Sequence, residues 1–175
     1  FPELWQRPDL DRYLWLGSYL ATYLERDVRN ILNVGSLRDF DRFLRAAAVR
    51  VGQLLSFAEL ARDVGIAPNT AKGWTSILEA SRQIFLLEPY HRSVGTRLIK
   101  TPKLYFADPG LLTYLLGFPD WSAVTQHATW GAIWENLVIG EVWKHFLNRG
   151  QRPPCWFWRR SCRLSVARRR PSSSS

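Results

Sequence analysis

Side chains that could read DNA lie on one side of a helix predicted after Pro68. When the apolar residues of this segment face inward, Asn69, Thr70 and Lys72 face outward. Amide and hydroxyl groups can hydrogen-bond to base edges in the major groove, and a lysine can contact the phosphate backbone. Asn69 and Thr70 are therefore candidate base-edge readers, and Lys72 is a candidate phosphate contact.

A basic loop follows this helix and supplies further candidate cations. It lies between two apolar runs, residues 84–87 and 104–106, and strand, basic loop, strand is the layout of a DNA-binding wing. The candidate phosphate contacts in and beside this loop are Arg92, Arg97, Lys100 and Lys103.

Local signals predict the elements that would position these side chains. Ser56 and Glu59 form a capping box at a helix start, and Gly65 suits the left-handed residue that ends the helix. Pro68 fits the first turn of the next helix. Residues 53–107 are thus predicted to form a winged helix-turn-helix. Winged helices also dock proteins or act as spacers, and this helix carries a single cation. The sequence therefore leaves open both DNA binding and a docking or spacer role.

The sequence offers no convincing catalytic or metal-binding arrangement. Its three histidines lie in unrelated segments and complete no nucleophilic triad or dyad. Cys155 and Cys162 are too few for a disulfide framework and lack a second ligand pair for zinc. We expect no metal, no cofactor and no enzymatic activity in this chain.

Composition predicts a soluble, cytoplasmic protein. No apolar run approaches the roughly 18 residues that a membrane span requires, and the first residues lack the layout of a signal peptide. Because the chain begins with Phe1 and contains no methionine, we expect it to be a piece of a longer protein.

The net charge of +9 is concentrated at the end of the sequence. Six arginines and no acid lie in residues 159–175, so the rest of the chain is nearly balanced. A tail of arginine and serine is predicted to be disordered, since it has too little apolar surface to bury.

Periodicity predicts further helices on both sides of the central unit. Apolar residues recur at helical spacing from Leu14 to Leu24, and a second helix is predicted over residues 37–51, with an inward face listed as Phe40, Phe43, Leu44, Ala47 and Ala48. Asp108 caps a helix that should end near Gly117.

The last third of the chain is predicted to contain a long helix and a strand. Residues 130–147 form a strongly amphipathic pattern that carries Trp134, Leu137, Val138, Glu141, Val142 and Phe146. A strand is predicted over residues 155–158. The fold class is therefore mainly α with a small β component (α+β).

Five sequence blocks in order carry a family resemblance: FPELW…YLATYLERDV, FAELARDVGIAPNTAKGWTSILEAS, RLIKTPKLYFADPGLLTYLLG, WGAIWENLVIGEVWKHF and WFWR. The region up to about residue 159 resembles the C-terminal half of uncharacterised prokaryotic AAA-type ATP-binding proteins. In those proteins an ATPase core precedes a domain of unknown function. The resemblance implies a helical connector (1–52), a winged helix-turn-helix (53–107) and a truncated restriction-endonuclease-like fragment (108–159), before a basic tail (160–175).

Two departures from that family limit what this chain can do. It contains no phosphate-binding loop, so ATP would bind only through an ATPase core that precedes Phe1. Glu135 matches the helical acid of the nuclease-like pattern and Glu141 lies on the same helix, but residues 160–167 contain no carboxylate where the family has an acidic pair. We expect both glutamates to be vestigial, because helical acids alone build no two-metal site.

Two functions remain after these exclusions. One is a non-catalytic module that binds double-stranded DNA and regulates an AAA-type ATPase. The other is a protein-docking or oligomerisation module, which the nine tryptophans favour, because truncation of the nuclease-like part would uncover one or more of Trp134, Trp143, Trp156 and Trp158.

Overall fold

The computed structural model describes residues 1–28, 37–90 and 101–158. The helices are α1 (Pro2–Gln6), α2 (Arg12–Tyr23), α3 (Leu37–Val49), α4 (Phe57–Val64), α5 (Pro68–Ala80), α6 (Pro109–Leu115), α7 (Trp121–Gln126) and α8 (Trp130–Leu147), and a π-helical turn over Leu24–Val28 follows α2. The strands β1 (Ile84–Leu87) and β2 (Lys103–Phe106) pair antiparallel. This confirms a mainly α fold with a small β component.

The turn between α4 and α5 forms as its local signals predict. The Ser56 hydroxyl accepts a hydrogen bond from the Glu59 N–H at 3.3 Å and so caps α4. Gly65 ends this helix with a φ of 83°, a conformation that glycine adopts without the steric cost of a Cβ. Pro68 begins α5, where its missing N–H costs no hydrogen bond.

Helix α3 supports this pair of helices from behind. All five residues predicted to face inward on α3 are buried. Trp74 of α5 meets the rings of Phe40 and Phe43 edge-on, with centroid distances of 5.2 and 5.4 Å. Such aromatic contacts add roughly 0.5–1.5 kcal/mol each to area burial, so they fix α5 against α3.

The outer edge of β2 is closed without a third strand. Leu104 accepts from the Gly52 N–H at 2.8 Å and donates to the Gln53 carbonyl at 3.2 Å. Phe106 pairs with a side chain: its N–H donates to Asn136 Oδ1 at 2.7 Å, and its carbonyl accepts from Asn136 Nδ2 at 3.1 Å. Asn136 lies on α8 and is only 1% exposed. Its amide therefore takes the place of a neighbouring strand's peptide group.

The orientation of α8 corrects the predicted amphipathic pattern. The buried residues are Ile133, Asn136 and Gly140, whereas the predicted set includes four exposed residues, Trp134, Val138, Glu141 and Val142. Apolar residues occur on both sides of this helix, so hydropathy alone does not choose between them. The hydrogen bonds of Asn136 determine which side is buried, because a buried amide must have partners.

The predicted strand over residues 155–158 is also wrong. Within the described ranges this segment forms a single parallel bridge between Pro89 and Phe157. Phe157 donates to the Glu88 carbonyl at 3.1 Å and accepts from the Tyr90 N–H at 2.8 Å. Proline has no N–H to donate, and Pro89 lies at the centre of this pairing, which limits how far a ladder can extend.

Replacing Asn136 with alanine should be strongly destabilising. Asn136→Ala leaves the buried N–H and carbonyl of Phe106 without partners, at a cost of about 1–3 kcal/mol for each group. We expect the free energy of unfolding, measured by urea denaturation, to fall by roughly 2–6 kcal/mol. Asn148→Ala, at the exposed end of the same helix, is the matched control and should change it by less than about 0.5 kcal/mol. Equal effects of the two substitutions would contradict this role of Asn136.

Candidate functional site

The outward face of α5 contains two of the three residues predicted there, Asn69 and Lys72. Asn69 and Lys72 are exposed and Thr70 is half-buried. Lys72 forms no ion pair with any residue in the described ranges. Asn69 and Lys72 are three residues apart and share one face of the helix, whereas Thr70 is two residues from Lys72 and lies toward another side. The exposed face presents an amide and a charge that has no ion-pair partner among the described residues, which suits contacts to bases and phosphates.

The cations beside this face are neutralised by an acid. Arg50 forms an ion pair with Asp63, and the Nε of Arg62 lies 3.9 Å from the other carboxylate oxygen of Asp63. Two arginines thus share one aspartate at the end of α4. The positive potential on the helix pair is weaker than its count of basic residues suggests.

Of the predicted wing cations, the structure describes Lys103. Arg92, Arg97 and Lys100 lie in residues 91–100, outside the described residues. Lys103 begins β2, and its Nζ donates to Glu135 Oε1 on α8 at 2.9 Å. The same ammonium lies 5.7 Å from the centre of the Phe157 ring. Lys103 is thus held against α8 rather than extended toward solvent.

Lys103 belongs to a polar cluster with Tyr105 and Glu135. The Tyr105 hydroxyl donates to the same Oε1 of Glu135 at 2.5 Å. Burial, followed by the hydrogen bond to Glu135 and the charge of that carboxylate, raises the pKa of Tyr105 above its ordinary range. The phenol therefore remains a hydrogen-bond donor. The sequence shows no signal for this cluster, since Lys103 and Glu135 are 32 residues apart.

Glu135 is held as a carboxylate by its two donors. Partial burial alone would raise its pKa, but the hydrogen bonds from Tyr105 and Lys103, together with the charge of Lys103, lower the pKa overall. Glu141, the second acid singled out from the sequence, is instead exposed and pairs with Lys144. In the part of the chain that the structure describes, no three His, Cys, Asp or Glu side chains are grouped to hold a metal ion.

The fold and these sites define a mainly helical protein in which a polar helix face and an acid–lysine–tyrosine cluster lie on different elements. A family model described as Domain of unknown function (DUF8612) matches residues 1–122. The chain therefore belongs to this family. Among the helices of the described residues, none is both long and apolar enough to cross a membrane.

Two mycobacterial proteins are similar to this chain. They are the uncharacterized protein Mb2031c of Mycobacterium bovis and the uncharacterized protein Rv2008c of Mycobacterium tuberculosis, each 32% identical over 133 residues. The match covers 74% of this chain but 30% of each relative. No solved structure matches the chain significantly. The comparisons confirm a domain of unknown function with prokaryotic relatives, and neither relative's name describes an activity.

Glu135→Gln should change how stability depends on pH. Because the folded-state pKa of Glu135 is lowered, the carboxylate stabilises the fold above its ordinary pKa, and this stabilisation is lost as pH falls through the folded-state value. At pH 7 the free energy of unfolding of the wild type should be higher than that of Glu135→Gln by on the order of 0.5–1 kcal/mol, after allowance for solvent screening. The difference should disappear in acid.

Urea denaturation across a pH series measures this difference, and Glu141→Gln is the matched control. Glu141 is more exposed and lies on the same helix, so its substitution should have little effect at any pH. A constant difference between wild type and Glu135→Gln from pH 7 into acid would show that the charge of Glu135 is not the cause.

Proposed function

We propose that residues 53–107 form a winged helix-turn-helix that binds double-stranded DNA. The observation that carries the proposal is the outward face of α5, where Asn69 and Lys72 are exposed on a helix braced from behind by α3. A rigid second helix with a free polar face is what major-groove reading requires. Asn69 and Thr70 would contact base edges, and Lys72 would contact a phosphate.

The wing would add phosphate contacts from the loop between β1 and β2. Arg92, Arg97 and Lys100 remain candidates from the sequence, because the structure does not describe them. Lys103 is not included in the proposal, because a phosphate would have to displace Glu135 from its ammonium. Most of the cationic contribution would then come from Lys72 and this loop.

We further propose that the module is non-catalytic and regulates a larger prokaryotic AAA-type ATPase. The family resemblance supports this context, and the match to 30% of each mycobacterial relative leaves room for an additional domain in those proteins. The lack of catalysis is supported by Glu135, whose Oε1 is occupied by Lys103 and Tyr105. A carboxylate held in this way acts as a structural hydrogen-bond acceptor.

A second candidate function is protein docking or oligomerisation. It is favoured by Trp134, Trp156 and Trp158, which are 50%, 56% and 66% exposed. Exposed indoles are typical of interaction sites, and Trp156 and Trp158 line the same groove. Trp143, which the sequence grouped with them, instead stacks on Phe85 at a centroid distance of 4.6 Å.

Fluorescence anisotropy with a labelled random duplex and the full chain tests DNA binding. Lys72→Ala should weaken binding and reduce the slope of log affinity against log salt by about 0.9, the contribution of one phosphate contact. Lys144→Ala is the matched control, since it removes a lysine from α8 and leaves both α5 and the arginine tail unchanged.

Equal losses in the two lysine variants would assign binding to overall charge rather than to α5. No binding of the wild type at low salt would reject the DNA-binding proposal and leave protein docking as the candidate function.

A further inference from the structure

An apolar face remains uncovered on the side of the molecule opposite to the core contacts of α8. We define the apolar face by its exposed residues, which are Tyr90, Trp134, Val138, Val142, Trp156 and Trp158. Trp134, Val138 and Val142 are spaced four residues apart on α8 and therefore form one stripe along the helix. The two other tryptophans and Tyr90 come from the parallel bridge at the end of the sheet.

A groove of about 480 Å³ runs between these two parts of the apolar face. Val138, Ile139 and Val142 form the helical wall, and residues 154–156 together with Trp158 form the opposite wall. The described residues that line this groove are all uncharged. Tyr90 braces the second wall, with its ring centroid 5.3 Å from that of Trp158.

The second wall also presents an unpaired backbone edge. Phe157 directs both its N–H and its carbonyl toward the segment that contains Glu88 and Tyr90. In an extended segment the residues on either side of Phe157 direct their N–H and carbonyl groups to the opposite edge. The N–H and carbonyl of Trp156 accordingly have no hydrogen-bond partner among the described residues. An unpaired edge beside an apolar groove is a template for one more strand.

We propose that this apolar face binds the same face of a second copy of the chain. Two copies related by a two-fold axis would pair their Trp156 edges antiparallel, and the indole of Trp158 from each copy would enter the groove of the other. The surface is self-complementary, as a two-fold interface requires, because it contains both the projecting ring and the groove that receives it. This inference deepens the docking function proposed above and does not depend on DNA binding.

The area of the apolar face fits a dimer. A large aromatic side chain presents roughly 150–250 Å², and four half-exposed rings with two valines expose on the order of 500 Å², near the upper end for the largest patch on a monomer. Covering this face on both copies, with the backbone edges, would bury on the order of 1,000 Å² or more, which reaches the lower limit of about 1,000 Å² for a biological interface and is typical of a weak, reversible dimer.

Sedimentation equilibrium of the full chain over a wide concentration range tests the proposal. We expect a reversible species of twice the 20.3 kDa chain mass. Val138→Lys places a charge in the groove, where dimerisation would remove it from water. The substitution should therefore weaken dimerisation roughly tenfold or more, and a tenfold change corresponds to about 1.4 kcal/mol. Val49→Lys is the matched control, because Val49 is an exposed valine on α3 (57% against 45% for Val138) and does not belong to the apolar face.

Backbone hydrogen exchange tests the strand pairing within the same dimer. Protection of the Trp156 amide should increase with protein concentration in the wild type and should not increase in Val138→Lys. Circular dichroism and the anisotropy assay should give the same results for Val138→Lys as for wild type, which shows that the variant folds and separates self-association from DNA binding.

A wild type that stays monomeric at the highest attainable concentration would overturn the proposal, whether or not it binds DNA. Equal effects of the two lysine substitutions on dimerisation would also overturn it, because the contact would then lie elsewhere. A monomer whose Trp156 amide becomes protected only on addition of an unrelated apolar peptide would overturn the second copy as the occupant of this face.

Discussion

The hydrogen bonds between Asn136 and Phe106 are the constraint on which the rest of the structure depends. A two-stranded sheet leaves the outer edge of each strand unpaired, and buried backbone groups on such an edge must find other partners. Gly52 and Gln53 provide partners for Leu104, and the amide of Asn136 provides them for Phe106. The position of α8, and its rotation about its own axis, follow from this side-chain pairing.

That rotation determines what α8 shows to its neighbours and to solvent. Glu135 precedes Asn136 and so reaches Lys103 and Tyr105 on the same strand. Trp134 and Val138 lie on the other side and remain exposed. The acid that suggested a nuclease-like site therefore attaches the helix to β2, and Trp134 and Val138 form part of an apolar surface.

Two surfaces with different chemistry result from this arrangement. The outward face of α5 is polar and carries the unpaired charge of Lys72, which suits a polyanion whose binding weakens with salt. The apolar face has a groove whose described lining residues are uncharged, and such a groove suits a contact that depends little on salt. Because the surfaces lie on different elements, substitutions can test DNA binding and self-association separately.

Sequence reasoning succeeded where the signal was local. The cap at Ser56, the left-handed Gly65 and the buried face of α3 each depend on residues within about one helical length, and all are found. It failed where the decisive partner is distant in sequence. Asn136 reaches a strand 30 residues away, so the period of α8 could not show which of its two apolar sides is buried.

A scalar coupling across the hydrogen bond between the Phe106 amide nitrogen and the Asn136 side-chain carbonyl carbon would test this account most directly. NMR on uniformly labelled chain should detect that coupling and should show slow exchange of the Phe106 amide, because both groups are buried and paired. An amide that exchanges rapidly and couples to no side-chain carbonyl would contradict the account. Helix α8 would then be held in some other rotation, and both the Glu135 cluster and the apolar face would lose their structural basis.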